Sequence, residues 1–305
     1  MATNFVKLEN VDISKIIVVS INDQPVANAS RNAKTKGAPA STFSVMGYKI
    51  QYKYSENNIG PLTIVVSLPS RWGVSEFVSA TPAPAGSRRS VTLELTLPSQ
   101  QDIAYTKCMD IQNTIHSKIM EDIQSKAGQT LSADDIEKNR KFNFNGLIKV
   151  KKPTADSIAT GRQLVDEYLL KPKLKHFPGE GKGDGFSCDI TNKKGGLKMS
   201  VTDILENRRI MWNSKVCAVI TIDRTYQAVG KSPSIAEFME GKRPEWGITT
   251  TTKQFIFNPT HISTGGGLIS LAAIDPEFTI ESDSEGVYNK GISTISLEQA
   301  DEYSL

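Results

Sequence analysis

Residues 140–153 read RKFNFNGLIKVKKP. Phe142, Phe144, Ile148 and Val150 alternate with Lys141, Asn143, Asn145, Lys149 and Lys151, which is the period of a pleated strand. Leu147 is the one apolar residue on the polar side. The spacing predicts a strand with one face for a core and one face of cations and amides. Two readings of the polar face stand open. Lysines keep an exposed strand face soluble. They also suit a polyanion with regular charge spacing, such as a nucleic-acid backbone.

The same two-faced pattern recurs outward from this stretch. In VMGYKIQYKY (45–54), Met46, Tyr48, Ile50, Tyr52 and Tyr54 share one face, and Lys49, Gln51 and Lys53 share the other. A turn at 55–61 and the buried-type run 62–68 complete a predicted hairpin. Residues 91–97 alternate as a strand. Ile111, Ile115, Ile119 and Ile123 recur every four residues, predicting one long amphipathic helix over 100–127, with Ser99 and Asp102 at its start and Gly128 at its end. A shorter helix is expected over 132–139 and another over 158–170. VCAVITI (216–222) reads as the most buried strand, continuing through Arg224 and Tyr226, and 246–257 as a long closing strand. Many strands and one long helix indicate an α+β chain, mostly antiparallel β, an OB-fold-like barrel with one long bracing helix.

The composition, 38% hydrophobic and 23% charged over 305 residues, is that of an ordinary globular chain. It holds no apolar run long enough to span a membrane and no secretory signal pattern. Three scattered cysteines, Cys108, Cys188 and Cys217, suit free thiols in a reducing compartment, cytoplasmic or nuclear. The net charge of +3 hides an asymmetry. Residues 275–305 carry eight acids against one base, Lys290, so residues 1–274 are strongly basic. The expected layout is one β-rich nucleic-acid-binding domain at 1–274, with mobile loops at 22–42 and 79–90, and a flexible acidic tail at 275–305. Such a tail competes for a basic surface or recruits partner proteins; a solvated extension is the plainer reading.

Recognisable catalytic chemistry is missing from the sequence. His116, His176 and His261 stand far apart, with no Cys or His at ligand spacing, so neither a metal nor a cofactor is expected. GEGKGDG (179–185) lacks the Gly-Lys-Ser/Thr ending of a phosphate loop. Cys108 and His116 lie two helical turns apart, too far for an acid–base pair. The chain reads as a non-enzyme.

What recurs instead is cations beside aromatics: Arg71 with Trp72, Arg208 and Arg209 before Trp212, and Arg224 before Tyr226. Single-strand binders pair a cationic groove with stacking aromatics. The candidate backbone contacts are Lys49, Lys53, Arg71, Lys141, Lys149, Lys151, Arg208 and Arg209. The candidate stacking residues are Trp72, Trp212 and Tyr226, with Trp246 as a further aromatic in a polar setting.

From Ile190 to Phe257 the order of elements resembles the single-stranded DNA-binding proteins of large nucleocytoplasmic DNA viruses, the poxvirus and African-swine-fever type. A strand pair, then NRRIMWNSKVCAVITIDRTYQAVG, then a strand opening on Trp246-Gly247-Ile248 carry the likeness. The resemblance implies an OB-like fold, sequence-independent binding of single-stranded DNA, and a role in viral DNA replication, recombination or repair in the host cell's viral factory. Replication proteins would be partners through the tail, with self-association along the strand. Nothing marks a 2′-hydroxyl contact, so DNA and RNA stand level on the residues alone. The alternative is a self-assembling capsid or nucleocapsid subunit, since short strands and a basic body suit a shell as well.

Overall fold

The first half of the chain supplies β1 (Val6–Lys7), β2 (Ile16–Ser20), β3 (Tyr48–Ser55), β4 (Asn58–Ser70), β5 (Gly73–Phe77), β6 (Ser90–Leu97), α1 (Ile103–Ala127), α2 (Ala133–Phe142), β7 (Phe144–Asn145) and β8 (Ile148–Lys151). The second supplies α3 (Ala155–Ala159), β9 (Glu167–Leu170), β10 (Lys173–Leu174), β11 (Asp189–Asn192), β12 (Leu197–Met199), α4 (Val201–Glu206), β13 (Ser214–Gln227), α5 (Ile235–Met239) and β14 (Trp246–Asn258). This computed structural model describes residues 4–21, 45–70, 72–77, 89–161, 165–177, 185–193, 196–227 and 233–258. The loop at 22–42, residues 79–88 of the second loop, and the acidic tail at 275–305 lie outside the described residues.

The strands form one mixed sheet with the path β1-β4-β3-β13-β14-β10-β6-β9-β8. Most pairings are antiparallel. The exceptions are β1 on β4, and β7, β10 and β11, which run parallel along one side of β14. The path has two ends and does not close among the described residues, so the expected barrel is corrected to an open sheet. Barrel closure needs every strand to pair on both edges; β8 at one end is paired only to β9.

Helix α1 covers the inner face. Asp102 caps its first turn, accepting from the Ala104 N–H at 2.7 Å, and Gly128 ends it in the left-handed conformation, φ 63°. Cys108, Ile111, Ile115, Ile119 and Ile123 are fully buried against the sheet, each apolar side chain contributing roughly 1.5–3 kcal/mol. Ile103 remains exposed at the helix start. The described part of 158–170 does not form the expected helix: α3 stops at Ala159, and Leu169 and Leu170 are buried in β9.

Residues 140–153 do not form one strand. Ser132 caps α2 by accepting from the Asp135 N–H, acids Asp134 and Asp135 occupy its first turn, and Arg140 and Lys141 its last. That charge order complements the helix dipole, and the helix runs through to Phe142. Phe142 is therefore 67% exposed rather than in the core. The chain pairs with β14 as β7, turns at Gly146, and enters β8. Leu147, expected on the polar side, is buried, and Val150, expected in the core, is half exposed.

Where α1, α2, β7 and β14 meet, Asn139 Oδ1 accepts from Trp246 Nε1 at 3.2 Å and lies 3.1 Å from His116 Nε2. The His116 ring stacks on Trp246 at 5.7 Å, and Phe144 packs against both. Burial pushes the His116 pKa below its ordinary value. Among the described residues, no helix is long and apolar enough to cross a membrane.

Candidate nucleic-acid interface

The outer face of the sheet has two regions. At one end Val65, Cys217, Val219 and Ile256 form a small apolar cluster packed by Phe5. Toward the other end polar and cationic residues take over, and a backbone irregularity causes the change. In β13, Ile220 and Ile222 face the core. Asp223 is then an extra residue, because Ile222 pairs with Thr250 and Arg224 with Thr249. Such a bulge reverses the alternation. Thr225 turns inward, where its hydroxyl donates to Met46 O and accepts from Tyr48 N. Arg224 and Tyr226 turn outward.

Arg224 sits in register with Lys49 of β3 on one side and Thr249 of β14 on the other. Two residues on, Thr251 is in register with Lys173, which faces Thr92 of β6. Lys173, Lys175, Arg224 and Arg89, with Thr249, Thr251 and one acid, Asp223, line an open groove of about 520 Å³. Arg89 is held by Glu76 through two hydrogen bonds of 2.7 and 2.8 Å, and its backbone N–H donates to His176 Nδ1. The Lys175 pKa is lowered, first by burial and then by repulsion from Lys253, with Asp223 pulling the other way and Arg224 adding a further repulsion. Asp223 supplies one carboxylate here, 3.5 Å from Arg224 Nε, and the cations outnumber it.

From the groove a row of lysine ammonium groups, flanked by aromatic rings at both ends, leads away. Lys173 Nζ lies 5.8 Å from the Tyr226 ring centroid. Lys173 also repels Lys149, whose pKa is lowered first by burial and then by that charge. Lys149 Nζ donates to Gly146 O at 2.9 Å. Lys151, two residues along the same face of β8, lies 5.6 Å from the Trp72 centroid and 3.5 Å from Glu167 Oε2. Trp72 meets Trp212 edge to face at 5.8 Å and 87°. The two tryptophans are 36% and 42% exposed.

The structure thus brings Lys149, Lys151, Trp72, Trp212 and Tyr226 into one row, with Lys49 on β3 in register with Arg224. Lys53 lies farther along β3 and pairs with Glu56 at 2.8 Å. Lys141 is displaced from the predicted strand to the last turn of α2, 5.3 Å from the Phe142 centroid. Lys149 is half-buried rather than on an open cationic face. Trp246 is fully buried and is no stacking platform. Arg71 and the side chains of Arg208 and Arg209 lie outside the described part.

No family model matches the chain, and no curated protein matches it. Solved structures similar to it are single-stranded DNA-binding proteins of bacteriophages. One is that of bacteriophage Enc34 in complex with ssDNA, at 14% identity and TM-score 0.32, covering 71% of this chain and 93% of that one. Another is gp2.5, encoded by bacteriophage T7, at 13% identity and TM-score 0.31, covering 76% and 100%. These are phage proteins, not the nucleocytoplasmic-virus type that the sequence resembles. Scores this low carry no argument about activity, which rests below on this chain's own residues.

Lys173, Lys175 and Arg89 are groove residues outside the candidate contacts read from the sequence, as is Arg224, which stands out there only as a cation before Tyr226. The signal for the first two was the alternation Lys173-Leu174-Lys175, with Leu174 buried; after the helix stop Lys171-Pro172 the sequence shows it only as a small basic cluster with His176 and Phe177. Among the described residues, no group of three or more His, Cys, Asp or Glu could hold a metal. The buried thiols Cys108 and Cys217 are pushed up to about 12 by burial, so they are protonated and unreactive at neutral pH.

Proposed function

We propose that this chain binds single-stranded DNA without sequence preference, the backbone in the cationic groove and bases against Trp72, Trp212 and Tyr226. The observation that carries this reading is the row Tyr226–Lys173–Lys149–Lys151–Trp72–Trp212, where three ammonium groups run between a tyrosine at one end and a tryptophan pair at the other. A duplex offers phosphates but no open base faces; a single strand offers both. Stacking on an aromatic contributes roughly 1–3 kcal/mol per base and tolerates any sequence. The wider role is replication, recombination or repair of a viral genome in a reducing compartment. Residues 275–305 would be held off the groove, or offered to replication proteins, according to whether DNA fills it.

Oligo-dT titration followed by tryptophan fluorescence tests this. Trp72 and Trp212 are the expected reporters, and buried Trp246 stays silent. Affinity should fall with salt, each neutralised phosphate adding roughly −0.7 to the log–log slope. Binding that ignores salt, or no binding of oligo-dT, overturns the reading. Large regular particles formed without nucleic acid would favour a shell subunit instead.

A further inference from the structure

We infer that Gln112, on the core helix α1, is a positioning residue for the ring-and-lysine row, an inference that rests on the single-strand-binding reading above. Gln112 is anchored between the buried residues Ile111 and Ile115 of α1. Its Oε1 accepts two backbone hydrogen bonds, from Leu147 N at 2.8 Å and Ile148 N at 3.3 Å. These are the amides through which the chain enters β8. Lys149 and Lys151 follow at once, and Lys149 Nζ reaches back to Gly146 O at 2.9 Å.

Gly146 is fitted to the same contact. A Cβ there would lie 2.6 Å from Gln112 Cδ, with no partner free to move except the glutamine itself. Its φ is not in the left-handed region. Glycine is needed here for space, not for conformation.

On the other side of this turn, β7 is in register with Trp246 and Gly247 of β14. Gly247 in turn lies between Asn145 and the Tyr226 ring: a Cβ there would be 2.8 Å from Asn145 Cβ and 3.0 Å from Tyr226 Cε1. The turn at 146–147 therefore joins the two ends of the row. Tyr226 is fixed on one side, and Lys151 under Trp72 on the other. β8 pairs only with β9 among the described strands, so its entry angle depends on what holds its first amides. Gln112 holds them to α1, the described helix with the most buried residues, and so sets the spacing between Tyr226 and Trp72.

The test is the salt dependence of oligo-dT binding by the full chain, with far-UV circular dichroism and melting curves alongside. Gln112→Met keeps the volume and removes the acceptor. Gly146→Ala attacks the same contact from the other side. Each should flatten the log–log slope by about 1.4, two lysines at about 0.7 apiece, matching Lys149→Gln/Lys151→Gln. Adding Gln112→Met to that lysine pair should change the slope no further. Gly146→Ala should lower the melting temperature in the wild-type chain and leave it unchanged with Gln112→Ala, which empties the space. A folded Gln112→Met variant with the wild-type slope overturns the inference, whatever its melting temperature. So does loss of folding in both single variants, because a residue the whole core requires is not specific to the row. Failure of the wild-type chain to bind oligo-dT would instead sink the parent reading.

Discussion

Trp246 and the pair Trp72 and Trp212 have similar sequence neighbours and opposite fates. Each stands among charged or polar residues. Trp246 is fully buried, stacked on His116 and bonded to Asn139. Trp72 and Trp212 lie on the outside, edge to face, with Lys151 above the first. The difference teaches that flanking polarity says little about a residue in a strand. Side chains at i±1 point to the opposite face, so Glu245 beside Trp246 is what a half-buried strand end looks like. Residues 72 and 212 lie outside regular strands, where no such alternation operates.

The largest expected effects test that contrast directly. Trp246→Ala should cost about 3–5 kcal/mol of stability in urea denaturation, since it opens a cavity and removes one of the two ring-nitrogen partners of Asn139 Oδ1. Oligo-dT affinity of the folded fraction should barely change. Trp72→Ala and Trp212→Ala should show the reverse: each weakens oligo-dT binding by about 1–3 kcal/mol, with unfolding midpoints near wild type. A Trp246 variant that unfolds normally but binds poorly would erase the distinction.

The same contrast shows how much was legible in the sequence. The period-four isoleucines of α1, the β3–β4 hairpin and the run at 216–222 could be read directly, because local periodicity and turn chemistry decide them. The row could be read only in pieces. Trp72, Trp212, Tyr226, Lys149 and Lys151 stood out as cations and rings, but their alignment depends on Asp223. One extra residue there turns Arg224 and Tyr226 outward, and no local pattern distinguishes it from continued alternation. At 140–142 a strand-like period lost to helix capping, since Ser132 and the acids after it stabilise a helix whose last turn is Arg140-Lys141-Phe142. Whether the sheet closes is a question of long-range pairing, which short-range periodicity does not encode.

A smaller effect sharpens the outer side of the comparison. Glu167 lies 3.5 Å from Lys151 and competes with phosphate for that ammonium. Lys151 is 41% exposed and Glu167 15%, and a pair open to solvent on the lysine side is worth about 1 kcal/mol or less. Glu167→Gln should therefore tighten oligo-dT binding by about two- to fivefold at low salt. Glu121→Gln, an equal change of net charge on the exposed side of α1, serves as the control. Equal gains from both would mean that overall charge, not Lys151, sets the affinity.

The smallest effect belongs to the inner side. His116 is buried beside Trp246, with its pKa held below the ordinary 6.5 first by desolvation and also by Arg140, against the opposing pull of the Asn139 hydrogen bond and Glu137. The folded chain then binds fewer protons at this site than the unfolded chain. Its contribution to stability is complete above about pH 6.5 and is lost as pH falls from there toward the depressed folded value. The slope is at most about 1.4 kcal/mol per pH unit for one proton. His116→Gln has no titrating ring and keeps an N–H for Asn139 Oδ1, so it should remove this part of the acid sensitivity. Urea midpoints of both chains at pH 7.5, 6 and 5 measure it as a difference, which cancels the other histidines. Oligo-dT binding should respond equally in the two chains across that range, because His116 lies on the core side of the sheet. Parallel stability curves would mean that His116 charges freely within the fold, and that the Trp246 cluster is less closed to water than its burial indicates.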